Sequence, residues 1–90
     1  MVRRDVLDTL GFLLASNYRM KVLAEIARHQ TTPKQISKAT SIRINHVSNI
    51  LREFMDKGLA LCVTPSRKKG RIYELTRFGK EVYGRIQKDD

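Results

Sequence analysis

The 90-residue chain has little cysteine and no long apolar run, and both absences exclude classes of protein. A single cysteine, Cys62, rules out an intrachain disulfide and cannot by itself form a thiolate zinc site. Because no apolar run approaches about 18 residues, the sequence contains no candidate transmembrane helix. The N-terminus lacks the apolar region and cleavage site of a signal peptide, so we expect a soluble intracellular protein.

Catalytic and metal-binding motifs are missing as well. The sequence has no Ser/His/Asp arrangement, no phosphate-binding loop and no paired carboxylates in an apolar setting. A closed zinc site needs about four ligands, and the chain offers only two scattered histidines, His29 and His46, and Cys62. We therefore expect no enzymatic activity and no required metal or cofactor. A redox role of Cys62 stays open, although a small buried or edge hydrophobic residue is the simpler interpretation.

Acidic residues are nearly absent from the centre of the chain. Residues 26–52 contain no Asp or Glu, and residues 28–71 contain ten Lys and Arg residues against Glu53 and Asp56. This span therefore carries +8 of the formal net charge of +9. So concentrated a positive charge is typical of a nucleic-acid-binding surface. A merely solvated surface or an anionic-membrane contact is the alternative, but no basic amphipathic helix accounts for the charge.

Apolar periodicity predicts one folded domain, spanning residues 1–90, that is mainly α with a small β-hairpin. The predicted elements are helices 5–15, 17–29, 32–40 and 43–57, a hairpin over 59–75 and a C-terminal helix 76–87. The residues expected to pack in the core are Tyr18, Val22, Leu23, Ile26, Ala27, Ile36, Ala39, Val47, Ile50, Leu51, Phe54, Met55, Leu61, Tyr73 and Leu75.

Two of these helices are predicted to be joined by a tight turn. Thr32 and Gln35 have the spacing of a capping box, which begins the first helix. Thr40 and Ser41 compete for their own backbone and favour the turn, and Gly58 ends the second helix. Together the two helices predict a helix-turn-helix unit.

The second helix of this unit is strongly amphipathic. Its polar side presents Asn45, Asn49 and Arg52, with His46 on the flank. Amide and guanidinium groups are the ones that form bidentate hydrogen bonds with adenine and guanine edges. The pattern therefore predicts a recognition helix that enters the major groove of DNA.

The hairpin carries a basic tip. Pro65, Ser66 and Gly70 mark the connection, which holds Arg67, Lys68 and Lys69. A hairpin is marginal alone, so we expect it to pack on the helices while its tip reaches a phosphate backbone or minor groove. A simple solvent-exposed turn is the alternative.

The N-terminal helix, predicted at residues 5–15, has more large apolar residues than a terminal helix of so small a domain needs. We therefore expect a homodimer in which part of this stripe meets a second subunit. The predicted dimerisation residues are Val6, Leu7, Leu10, Leu13 and Leu14, with Tyr83 and Ile86 as further candidates.

The order helix, helix, helix, hairpin, helix, with TPKQISKAT, NHVSNILREFMDKGL and GRIYELTRFGKEV, resembles the winged helix-turn-helix regulators. More narrowly, it resembles the small ArsR/MarR-like transcriptional regulators common in archaea. The resemblance covers about residues 18–82 and implies a hairpin wing along the DNA backbone. It also implies base-facing roles for Arg43, Asn45, His46 and Asn49. Family members usually have glycine where this chain has Ser41.

The expected function is a sequence-specific double-stranded DNA-binding transcriptional regulator, cytoplasmic and nucleoid-associated, with no small-molecule effector evident. The alternatives are a nonspecific architectural chromatin protein and a protein-interaction winged helix in a transcription assembly. The predicted DNA-contacting residues are Thr32, Lys34, Lys38, Arg43, Asn45, His46, Asn49, Arg52, Arg67, Lys68, Lys69 and Arg71.

Overall fold

A computed structural model describes residues 4–88, which form five helices and a two-stranded antiparallel sheet. The helices are α1 (Arg4–Leu14), α2 (Asn17–Arg28), α3 (Pro33–Thr40), α4 (Ile44–Asp56) and α5 (Arg77–Lys88), and the strands are β1 (Ala60–Cys62) and β2 (Tyr73–Leu75). The predicted fold class and element order are confirmed. Every helix lies within one residue of its predicted ends, and the two strands occupy the ends of the predicted hairpin 59–75.

Side-chain caps set the starts of three helices, and at α2 the hydroxyl of Ser16 accepts a hydrogen bond from the Arg19 N–H at 3.3 Å. At α3 the hydroxyl of Thr32 accepts a hydrogen bond from the Gln35 N–H at 3.2 Å. The Gln35 side chain in turn accepts one from the Thr32 N–H at 3.2 Å, which completes the predicted capping box. At α5 the hydroxyl of Thr76 accepts from the Gly79 N–H at 3.0 Å and donates to the Gly58 carbonyl at 2.6 Å. The second of these bonds also joins the start of α5 to the end of α4.

The turn between α3 and α4 uses serine in the backbone conformation that glycine usually supplies. Ser41 has φ 62° and ψ 21°, which is left-handed. The Thr40 hydroxyl donates to the Ile36 carbonyl at 2.7 Å and accepts from the Ile42 N–H at 3.3 Å. These bonds offset part of the about 1–2 kcal/mol that a left-handed conformation costs a residue with a Cβ. The predicted tight turn therefore forms without glycine.

A single apolar cluster joins the helices to one face of the hairpin. Its fully buried side chains include Leu13, Leu23, Ile36, Leu51 and Phe54. Among the described residues, no buried side-chain nitrogen or oxygen lacks a hydrogen-bond partner. None of the helices within residues 4–88 is long and apolar enough to cross a membrane.

Four residues predicted to be buried are exposed, so those predictions were wrong. Tyr18 lies in the first turn of α2 and contacts the recognition helix instead of the core. Ala39 and Met55 lie beside the buried faces of their helices rather than within them. Leu61 pairs with Glu74 on the outer face of the hairpin, because alternate residues of a strand point to opposite sides.

The hairpin is tied to the helix-turn-helix unit by backbone bonds that periodicity did not predict. Thr31, just before α3, pairs with Tyr73 of β2: the Thr31 N–H donates to the Tyr73 carbonyl at 3.1 Å, and the Tyr73 N–H donates back at 2.8 Å. A one-residue bridge has no alternating pattern in the sequence. It fixes the base of the wing relative to the start of α3.

Helix α1 divides its apolar residues between two environments. Val6 and Leu13 are fully buried in the protomer, so their predicted place in a dimer contact is corrected. Leu7 and Leu14, one heptad apart, are 54% and 64% exposed, and Leu10 is half-buried.

Candidate nucleic-acid interface

Helix α4 is held by its apolar side and presents its polar side to solvent. Val47, Ile50, Leu51 and Phe54 are buried. The opposite side carries Asn45, Asn49 and Arg52, which are all exposed. Because the core fixes the rotation of the helix, the direction of these polar side chains is fixed as well.

The start of α4 leaves its polar side chains available. Arg43 is the N-cap residue and makes no side-chain capping bond. Ile42, just before the cap, and Val47 are both buried, which is the arrangement of a hydrophobic staple. Asn45 is therefore not used for capping, and both its amide donor and its acceptor face solvent.

A groove of about 620 Å³ separates the start of α4 from the wing. Its walls include Lys34 from α3 and Lys68, Lys69 and Arg71 from the wing, with Ile44 of α4 between them. No acidic residue of the described chain lines this groove. We call it the wing-side groove.

The wing loop is shaped by internal hydrogen bonds that leave its tip free. The Thr64 hydroxyl accepts from the Ile72 N–H at 3.0 Å, and its carbonyl accepts from the Arg67 N–H at 3.1 Å. The Arg71 guanidinium donates to the Arg67 carbonyl. Lys68 and Lys69 stay exposed beyond this bonded base, so their ammonium groups can reach an anionic backbone.

A smaller cleft of about 240 Å³ lies on the other flank of α4, against the start of α2. We call it the α2-side cleft. Here the rings of Tyr18 and His46 meet edge to face, with centroids 4.8 Å apart. Arg19 forms a two-point pair with Glu53, at 3.0 and 3.3 Å. The same guanidinium donates to the Phe12 carbonyl at 3.0 Å, so Arg19 of α2 connects α1 to α4 on this flank.

The predicted contact residues fall into three groups. Lys34, Lys68, Lys69 and Arg71 line the wing-side groove, together with Thr32, which is half-buried and occupied as the α3 cap. His46 and Asn49 line the α2-side cleft. The rest are exposed outside both: Lys38, Arg43, Asn45, Arg52 and Arg67.

Sequence reasoning missed three residues at this interface. Ile44 and Ser48 line the wing-side groove, and Tyr18 supports His46. At about 100° per residue, Ile44 and Ser48 lie between the apolar and polar sides of α4. Helical periodicity predicts where these two residues lie on α4, but the position of the wing decides whether this flank of the helix is open.

The described residues do not form a set of side-chain donors for a metal ion. No group of three or more His, Cys, Asp or Glu side chains in residues 4–88 is placed to hold a metal ion. Cys62 is half-buried on β1. His29 is the exposed C-cap residue of α2, and its Nδ1 lies 2.7 Å from the Gln30 carbonyl oxygen.

Neither a protein-family sequence model nor a curated protein sequence matches this chain. Solved structures do. The homodimeric winged helix-turn-helix domain of Mb0332 from Mycobacterium bovis, a possible ArsR-family regulator, has TM-score 0.74 and 21% identity, over 94% of this chain and 78% of that one. TubR bound to 24 bp of tubC, from Bacillus thuringiensis serovar israelensis, has TM-score 0.84 and 10% identity over the whole of both chains.

A MarR mutant from E. coli complexed with operator DNA has TM-score 0.73 and 23% identity, over 94% of this chain but 62% of that one. At these identities the comparisons establish the winged helix-turn-helix fold, which confirms the predicted architecture. The structural neighbours include a possible ArsR-family regulator and MarR, which agrees with the resemblance that the motifs indicated. The narrower likeness to archaeal members stays a prediction.

Proposed function

We propose that this protein is a sequence-specific double-stranded DNA-binding transcriptional regulator that acts as a homodimer without catalysing a reaction. Helix α4 enters the major groove, and the basic wing lies on the phosphate backbone. As a DNA-binding regulator it works on the nucleoid in the cytoplasm.

One observation carries the proposal: the base-reading amides lie on the exposed side of α4, and the cationic groups line the acid-free groove on one flank of the same helix. The exposed amides of Asn45 and Asn49 can address base edges, which provide specificity. The cations of the wing-side groove can neutralise phosphates, which provide affinity. Glu53 lines the α2-side cleft together with Asn49, and it is paired with Arg19. This pairing reduces its repulsion of a phosphate.

The homodimer is supported by α1. Leu7 and Leu14 expose a leucine stripe that the protomer leaves uncovered, and the M. bovis neighbour is homodimeric. A two-fold axis would set two α4 helices about 34 Å apart, one turn of DNA. The proposed binding site is therefore pseudo-palindromic.

The test is selection of bound sequences from a random duplex library, followed by sedimentation of the complex. We expect a single enriched pseudo-palindrome whose half-sites are about 10 base pairs apart, and a complex of two chains per duplex. Recovery of random sequences would overturn sequence-specific recognition and favour an architectural role, since that role needs the charge but no base-reading side. A monomer bound to one half-site would overturn the dimer alone.

A further inference from the structure

Ile44 is a large apolar side chain that the fold leaves about half exposed. It is the first residue of α4 and is 47% exposed, although it neighbours the buried Ile42. The hydrophobic staple at this helix start is made by Ile42 and Val47, so Ile44 has no part in it. The exposed part of this isoleucine side chain has no favourable interaction with water.

The surroundings of Ile44 indicate what it meets. Ser48 lies one turn further along α4 on the same side, and Lys68, Lys69 and Arg71 face it across the wing-side groove. A phosphate backbone held by these cations brings the edges of its bases toward the start of α4. The N-terminal residues of a recognition helix are the ones that approach base edges in helix-turn-helix complexes.

The major groove offers one apolar group, the C5-methyl of thymine, and apolar side chains from alanine to phenylalanine in size pack against it. On this basis, which rests on the proposed function, we infer that Ile44 is a specificity-determining residue that packs against a thymine methyl group. Ser48 beside it can accept or donate one hydrogen bond to the same or the adjacent base. Asn45 and Asn49 then read the bases on the other side of the helix.

The experiment removes the methyl group without changing base pairing. In the duplex selected above, each thymine is replaced singly by deoxyuridine, and the Kd is measured for the wild type and for Ile44→Ala. We expect one thymine per half-site whose replacement weakens wild-type binding about fourfold, the effect of exposing one methyl-sized group. For Ile44→Ala the same replacement should change Kd by less than about 1.5-fold, because the partner is already gone.

Two variants serve as controls. Met55→Ala truncates another exposed apolar residue of α4, 38% exposed, at the far end of the helix outside the wing-side groove. It should keep the full deoxyuridine effect. Ile44→Val retains a branched apolar side chain and should keep most of it. Thermal melting of each variant checks folding, and alanine at an exposed helix position is expected to be tolerated.

The outcomes separate this inference from the proposed function. If no sequence is selected at all, the proposed function fails. If a sequence is selected but deoxyuridine weakens wild type and Ile44→Ala equally at every position, the assignment of Ile44 is overturned while sequence-specific binding stands. A thymine that couples to Met55 but not to Ile44 would also overturn it.

Discussion

The two exposed surfaces of this small chain differ in kind. The surface built from α3, α4 and the wing is polar and cationic, and its groups face solvent from a backbone fixed by the core. The surface along α1 is apolar and exposes Leu7 and Leu14. A polar surface is well solvated without a partner, whereas covering an exposed leucine stripe lowers the free energy of the system. The difference suggests that the apolar surface holds two copies together and the polar surface holds DNA.

The largest expected effect comes from breaking the apolar surface. Leu7→Asp with Leu14→Asp should convert the proposed dimer to a monomer, because two carboxylates cannot be buried in a leucine contact. Losing the second recognition helix should weaken binding to a palindromic site on the order of 100-fold or more. Sedimentation and duplex binding at micromolar and nanomolar protein concentrations measure both effects.

Leu7→Lys with Leu14→Lys is the matched control for charge. It breaks the same contact but adds positive rather than negative charge, which attracts DNA nonspecifically. If both double variants lose the palindrome preference, dimer loss is the cause. If either variant still forms dimers and binds the duplex with unchanged affinity, α1 is not the dimer contact.

The next effect comes from the wing. Lys68→Ala with Lys69→Ala removes two exposed cations at the tip of the wing. Each phosphate contact contributes about 0.9 to the slope of log K against log salt, so the slope should become shallower by about 1.8. Binding to operator and scrambled duplexes should weaken together, on the order of 50-fold at 0.1 M salt.

Lys80→Ala with Lys88→Ala supplies the control for net charge. Both residues lie on α5, outside the wing-side groove, and both are exposed. This variant should leave the salt slope within experimental error of the wild type. Equal slopes for the wing variant and the wild type would show that the tip is only a solvent-exposed turn.

A smaller effect is expected at the base-reading side. Asn49→Ala should leave the salt slope nearly unchanged and narrow the gap between operator and random duplex by about 1–3 kcal/mol. The Arg52 guanidinium lies 3.3 Å from the Asn49 amide oxygen, so the pair is partly ordered before DNA arrives. Binding of the variant across a salt series tests this, and an equal loss on both duplexes would contradict it.

Asn45→Ala provides an independent reading of the same side. Since Asn45 is not consumed in capping α4, the variant should keep its thermal stability while losing discrimination. A drop in melting temperature without a change in discrimination would assign Asn45 a structural role instead.

The elements of the fold could be predicted because their signals are local. The capping box at Thr32 and Gln35, the turn at Ser41 and the helix end at Gly58 are each set by a few neighbouring residues. The exposed amides of α4 follow from helical periodicity, and the wing cations follow from the turn residues around them. Local signals therefore located both the helix-turn-helix unit and its polar side.

What could not be predicted depends on how elements meet. The division of the α1 leucines between core and surface follows from how far α2 and α5 cover that helix, which no spacing encodes. The Arg19–Glu53 pair joins residues 34 positions apart. The openness of the flank that holds Ile44 depends on the Thr31–Tyr73 bridge, which places the wing.

The smallest expected effect comes from the α2-side cleft, where Tyr18 orders His46. An edge-to-face aromatic pair contributes about 0.5–1.5 kcal/mol, so Tyr18→Ala should weaken operator binding about two- to tenfold by freeing the imidazole. Tyr18→Phe keeps the ring contact and should bind like the wild type. In a His46→Ala background Tyr18→Ala should have no further effect. A loss that persists in that background would mean that Tyr18 acts independently of His46, and a loss that Phe shares would assign the effect to the Tyr18 hydroxyl.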